Sequence, residues 1–372
     1  MLPKNKVIIF LALLFFSLVF SPFEVMAQEI GRGEVEEKTL EAKVIQILDE
    51  KVIISGLSGE EQPYQKLKLL VIKGYLKDQE IEIESGNVPS VNLPQYKIGD
   101  RVIVSYSNDL EGNDVFYITD FVRRQPLLWL FLIFVVLTVV IARWRGLLSL
   151  LGMGISFLVI FFLVLPQILS GANPVETAIL GSLIIIPVTF FLSHGFNGKT
   201  GVAIAGTVIT LIITGILAGT FVEAAKLSGF ASEEAGFLQS AKGDLVNIKG
   251  LLLAGIIIGV LGVLDDITIS QSAIVFQLKE ANSKLKYSEL YKRAMNVGRD
   301  HISSMVNTLI LVYTGAALPL LLLFIDNPHP FSEIINYEIL ADEVVRTLVG
   351  SIGLVLAVPI TTFIAVLTTA KK

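Results

Sequence analysis

Seven long apolar stretches constrain this chain more than any other feature. They run over residues 126–142, 147–169, 175–193, 201–222, 250–276, 302–325 and 344–370. About 20 apolar residues cross a ~30 Å hydrocarbon layer as a helix. Within that layer only helices and closed barrels satisfy their own backbone groups. The stretches therefore predict a membrane α-helical bundle of about seven helices over residues 126–372. Composition agrees, since 53% of residues are apolar and 17% charged, against about 25% charged in soluble domains. The mean hydropathy is +0.71.

The chain ahead of the bundle reads differently. Lys4 and Lys6 precede an apolar run over 7–20, and Val25-Met26-Ala27 follows it. That is the layout of a signal peptide spanning 1–27, with an uncleaved anchor as the alternative. Either arrangement places residues 28–122 outside the membrane. This segment is acidic, with 18 Asp and Glu against 10 Lys and Arg. Short β-like runs occupy 42–47, 51–54, 67–72, 81–84, 101–104 and 115–118. Several alternate apolar with polar, and Gly, Asn and Asp punctuate them. Five or six strands in so short a segment predict a small extracytoplasmic β-barrel-like domain, OB-like in type. Such a module binds a ligand, docks a partner or is only structural; the fold does not choose.

Loop charges orient the bundle. With residue 28 outside, the loops holding Arg143 and Arg145, Lys199, and residues 279–299 fall inside, together with Lys371 and Lys372. The outside loop 326–343 holds no Lys or Arg. This follows the positive-inside rule, although Arg123 and Arg124 oppose it. The expected location is the plasma membrane, with a cytoplasmic C-terminus and the lipid bilayer as the first partner. The orientation leaves residues 223–249 outside, either on the surface or folded back into the bundle.

Several chemistries are excluded or unsupported. The chain has no cysteine, so thiol catalysis, disulfides and thiolate metal sites are absent. Its three histidines, His194, His301 and His329, lie far apart. No cofactor, metal or nucleic-acid partner is expected, and no enzyme motif such as HExxH is present.

Two polar elements interrupt the apolar spans. Asp265 and Asp266 sit between the uncharged runs 255–264 and 267–276, followed by Thr268, Ser270 and Gln271. Carboxylates at such a position are costly and commonly mark an ion pathway. A proton shared between neighbours would make a relay. Equally, the helix could end near Leu264 and leave both acids at the interface. Arg299, Asp300 and His301 open the next span, and Asp300, Ser304, Asn307 and Thr314 follow one another at helical spacing. Arg299 could neutralise an aspartate and His301 could pass a proton. The plainer reading is an interfacial charge cluster with helix–helix hydrogen bonding by Asn307. Tyr313 and Arg346 are lesser candidates.

Residues 262–271, Gly262-Val263-Leu264-Asp265-Asp266-Ile267-Thr268-Ile269-Ser270-Gln271, form one motif. Residues 298–309, from Gly298-Arg299-Asp300-His301 to Asn307-Thr308-Leu309, form a second. Together they resemble the signatures of the YibE/F-like membrane proteins of bacteria, and Gly99-Asp100-Arg101-Val102 extends the resemblance to the outside domain. The resemblance implies a permease role. The order of elements around Asp265 and Asp266 is also similar to part of the SecDF and RND exporters, where membrane aspartates couple proton flow to work outside. Two function classes follow. One is an ion-coupled permease or exporter component, acting alone, as a homo-oligomer or with a second membrane subunit. The other is a non-transporting scaffold or sensor whose β domain binds an envelope ligand or partner. The substrate is not legible in the residues.

Overall fold

A computed structural model describes residues 38–54, 61–87, 93–108, 114–325 and 328–369. The expected signal peptide lies outside the described residues. The chain divides into two compact units, with the boundary between Leu137 and Thr138.

The first unit is a five-stranded antiparallel sheet of β1 (Lys38–Ile54), β2 (Glu61–Lys73), β3 (Glu80–Ser85), β4 (Arg101–Asn108) and β5 (Asp114–Phe121), ordered β3-β2-β1-β4-β5. The alternation read from the sequence is what builds its core. Leu40, Ala42 and Val44 point inward from β1, Leu67, Leu69 and Val71 from β2, and Val102 and Val104 from β4. Gln65 is buried with them and bonds both the N–H and the carbonyl of Tyr96, which satisfies its amide.

Two expectations need correction here. Runs 42–47 and 51–54 are one strand, because Asp49 pairs with Lys66 and Glu50 with Gln65 across the ladder. The polar Asp49-Glu50 step is paired in the ladder rather than a turn, and a register shift falls just before it, between Ile47 and Asp49. The sheet also does not close into an OB-like barrel, since no ladder joins β3 to β5 among the described residues.

The second unit is helical. It comprises most of α1 (Arg124–Val159), a π-helical turn (Ile160–Val164), α2 (Leu165–Leu169), α3 (Pro174–His194), α4 (Gly198–Ala224), α5 (Glu233–Lys242), α6 (Ile248–Ala281), α7 (Tyr287–Ala316), α8 (Leu318–Ile325), α9 (Phe331–Ile334) and α10 (Glu338–Thr369). Asparagines start three of them. The side chains of Asn173, Asn197 and Asn247 accept from the backbone N–H of Val175, Thr200 and Gly250. Each bond satisfies a first-turn donor that no helical carbonyl reaches.

Among the described residues, five helices are long and apolar enough to cross a membrane. The count is six when α7 and α8, bent by 70° between Ala316 and Leu318, are one broken span. Pro319 lacks the N–H that would carry the helix through the bend. Seven spans were expected. The first two expected stretches share a single helical element, Arg124–Leu169, whose 46 residues are broken only at Arg143 (φ 54°, ψ −133°). Three residues, Arg143-Trp144-Arg145, are too few to form a loop of their own, so the chain turns at one backbone position. None of the residues from Arg124 to Arg145 is buried.

The centre of the bundle is formed by α4, α6 and α10, each packed against the other two, with α3 against α6 and α7 against α10 and α6. Ala203, Leu211, Ile257, Val260, Leu264 and Val358 belong to the buried cluster between them. Segment 223–249 folds back onto the bundle. Ala235, Val246 and Ile248 pack with Val164 and Ile168. The Glu338 carboxylate accepts from the N–H and hydroxyl of Ser228 and from the N–H of Gly229, which pins the loop ahead of α5.

Candidate functional site: a polar bundle core and a charged cavity

Two contacts mark the ends of the bundle. Lys249 Nζ meets Glu223 Oε2 at 3.0 Å at one end. At the other, Ser272 Oγ donates to the Lys199 carbonyl at 2.8 Å. Along α6, at 1.5 Å per residue, Asp265 lies about 24 Å from Lys249 and about 10 Å from Ser272. The helix runs unbroken through both acids, so they do not stand at a helix end.

A polar seam crosses the core beside them. Thr207 and Thr268 share a hydroxyl bond of 2.7 Å. Gln271 Nε2 donates to the Ala294 carbonyl at 3.0 Å and to Thr362 Oγ1 at 2.7 Å. It thereby ties α6 to both α7 and α10. The hydroxyls of Thr210 and Thr361 and the Gln271 Oε1 are buried with no partner. Glycines permit this closeness. A Cβ on Gly206 would come within 2.3 Å of Thr361 Oγ1, and one on Gly298 within 2.5 Å of Val358 Cγ1.

The sequence candidates separate in space. Thr268 and Gln271 lie in the seam, fully buried. Asp265 is half-buried at its margin, while Asp266 is exposed and Ser270 is half-buried. Asp266 acts electrostatically on His194, together with Arg145 and Lys199. On α7, Ala294, Gly298 and Leu309 are buried against the bundle, whereas Asp300, Ser304, Asn307 and Thr314 are exposed. Helical spacing puts this stripe on the face opposite the buried one. The two polar elements therefore do not meet through that stripe. Arg299 bonds only Asn296, at 3.4 Å, and pairs with none of the aspartates among the described residues. His301 is half-buried, and its Nδ1 is buried without a partner.

A cavity of 780 Å³ opens at the Glu223 end. Its walls come from α5, the first turns of α6, the α7–α8 bend and α10. Leu251, Leu252, Leu320 and Ile339 make it apolar, Asp342, Glu343 and Arg346 make it charged, and Tyr313 adds a phenol. Arg346 Nη1 and Glu343 Oε1 stand 3.3 Å apart. Asp342 is 6% exposed, and its Oδ1 and the Arg346 Nε have no partner. Gly255 lines the cavity, and Gly259, Gly262 and Asp266 continue it as one exposed strip on α6. Tyr313 Oη stands 3.7 Å from where a Cβ on Gly259 would lie. Sequence reading misses Asp342 and Glu343 because they close the polar segment 326–343, where a charge is ordinarily solvated. The i to i+4 spacing of Asp342 and Arg346 was the available signal.

Apolar helices of this length around a hydrogen-bonded polar core define a multi-pass membrane protein of the α-helical class. More narrowly, the family model described as YibE/F-like protein matches residues 130–371, and the chain belongs to that family. The match covers the helices and leaves out the β unit, to which the sequence resemblance had been extended. No curated protein and no solved structure matches the chain. The likeness to exporters is therefore one of residue order alone.

Proposed function

We propose that the chain is an ion-coupled permease or exporter component of the plasma membrane, with Asp265 and Asp266 carrying a proton or cation. The observation that carries this reading is the strip Gly255, Gly259, Gly262, Asp266. It begins in the wall of the cavity and reaches the paired acids about 16 Å further along α6. Side chains are missing from this strip until the carboxylate, and a solute or water file needs that space. A carboxylate set within a membrane-spanning helix costs several kcal/mol in lipid without a function or a partner.

The same reading makes seven crossings. The helix Arg124–Leu169 crosses twice about Arg143, and α7 with α8 forms one broken span. Residues 28–122, the Glu223 end and the cavity then face outside, and the C-terminus faces the cytoplasm. The grouping of Arg145, His194 and Lys199 at one end supports this, because all three belong to the side expected to be positive. In lipid the outward stripe of α7 needs hydrogen-bonding cover. A second copy supplies it, because Arg299 and Asp300 are adjacent and exposed and so complement their own equivalents.

Proton, Na⁺ and K⁺ flux into proteoliposomes tests the reading. Flux is expected with the wild type and lost in Asp265→Asn/Asp266→Asn. Flux that survives in the double variant refutes the relay. Its absence from both proteins, with each monodisperse, favours the scaffold or sensor whose β domain binds an envelope partner.

A further inference from the structure

We infer that the cavity at the Glu223 end binds a cationic amine with an apolar body. The inference rests on the transport reading and names the solute class its cavity would take. It starts from Asp342. This carboxylate is more than nine-tenths buried, lines the cavity, and holds an oxygen that nothing in the protein satisfies. A buried acceptor left empty costs about 1–3 kcal/mol, more when charged, so it is worth keeping only if something fills it.

The surrounding chemistry sets the sign and shape of the occupant. Arg346 pairs with Glu343 and also acts on Asp342, one cation against two carboxylates of α10, so negative charge is in excess in the cavity. Glu233 and Glu234 add negative charge at the wall formed by α5. An anionic ligand would meet four carboxylates and one arginine already paired. A metal ion needs several converging ligands. Among the described residues no group of three His, Cys, Asp or Glu side chains could hold one. An ammonium needs only a few acceptors, and Asp342 Oδ1 with Tyr313 Oη can provide them. An aromatic ring in the wall, Tyr313, also favours a cation over an anion. Leu251, Leu252, Leu320 and Ile339 then cover the apolar body, and 780 Å³ lies within the size of small-molecule sites.

The test uses the full chain in nanodiscs and two fluorescent probes of matched shape. Dansylcadaverine carries a primary ammonium, and N-pentyldansylamide is its uncharged counterpart. Polarisation, corrected for lipid partition with empty nanodiscs, is expected to show saturable binding of the ammonium probe only. Asp342→Asn weakens it by at least about tenfold, the loss of one charged hydrogen bond. Asp342→Glu retains most of the binding, and Glu280→Gln, remote from the cavity, leaves it unchanged. The charged-against-neutral comparison uses wild type alone, so it stands if Asp342→Asn does not fold. Equal binding of both probes, no saturable binding, or full affinity in a folded Asp342→Asn overturns the inference. Displacement by micromolar Ca²⁺ would overturn it in favour of a metal site. Ion flux that depends on Asp265 and Asp266 without amine binding would leave the transport reading intact and remove this one; binding without flux would do the reverse.

Discussion

Replacing Gly298 by alanine should loosen the bundle by a calculable amount. The new Cβ would lie 2.5 Å from Val358 Cγ1 and 3.0 Å from Gln271 Nε2. Carbon atoms in good contact stand about 3.5–4.0 Å apart, so α7 must retreat by roughly 1 Å or Val358 must turn. Val358 is fully buried, so any turn must be made within the packed core. Overpacking of this kind costs about 1–3 kcal/mol. The retreat would also stretch the Gln271 bond to Ala294, adding a contribution of about 0.6–1.7 kcal/mol. Equilibrium unfolding in mixed SDS micelles measures the loss. Val358→Ala is destabilising alone, because it leaves a cavity, yet it removes the clashing methyl. The double variant should therefore be more stable than the sum of the singles by about 1–2 kcal/mol. A Gly298→Ala cost below about 0.5 kcal/mol, or a cycle without coupling, would refute the packing. It would also undo the assignment of Asp300, Ser304 and Asn307 to the outward face, because the Gly298 contact sets the rotation of α7.

Three further outcomes are expected. Glu338→Ala removes the acceptor of three bonds from Ser228 and Gly229. Hydrogen exchange of those amides should accelerate by about tenfold or more, and unchanged exchange would show that the loop is held otherwise. Asn307→Leu should weaken self-association in bilayers by about three- to thirty-fold, as one or two interhelical bonds are lost; association at wild-type strength would refute a paired α7 stripe. In the β unit, burial holds the Tyr96 phenol above its ordinary value of 10.0. The folded state therefore keeps the proton over a pH range where the unfolded chain has released it. Stability from the neutral phenol is complete below pH 10 and falls as pH rises above it. Amide exchange of the sheet followed from pH 9 to 11 should show this loss in wild type and not in Tyr96→Phe.

What the sequence determined by itself was the class of protein. Apolar runs near 20 residues, loop charges and period-two alternation are local properties, and each survives any arrangement of the elements. They announced a membrane bundle and a sheet-forming segment ahead of it, and two motifs announced the family. The acids at Asp265 and Asp266 were legible because a charge between apolar runs is costly wherever the helix packs. Tertiary structure alone decided the rest. The rotation of α7 follows from Gly298 meeting Val358 and Gln271, residues of three different helices, and that contact turned the Asp300 stripe away from α6. Asp49-Glu50 looked like a turn until pairing with Lys66 and Gln65 carried the strand through it. Asp342 was an ordinary loop charge in sequence. It became a buried, unpartnered carboxylate only because α5, the α7–α8 bend and α10 close a cavity around it. Burial of a polar group depends on which elements surround it, and no local pattern carries that information.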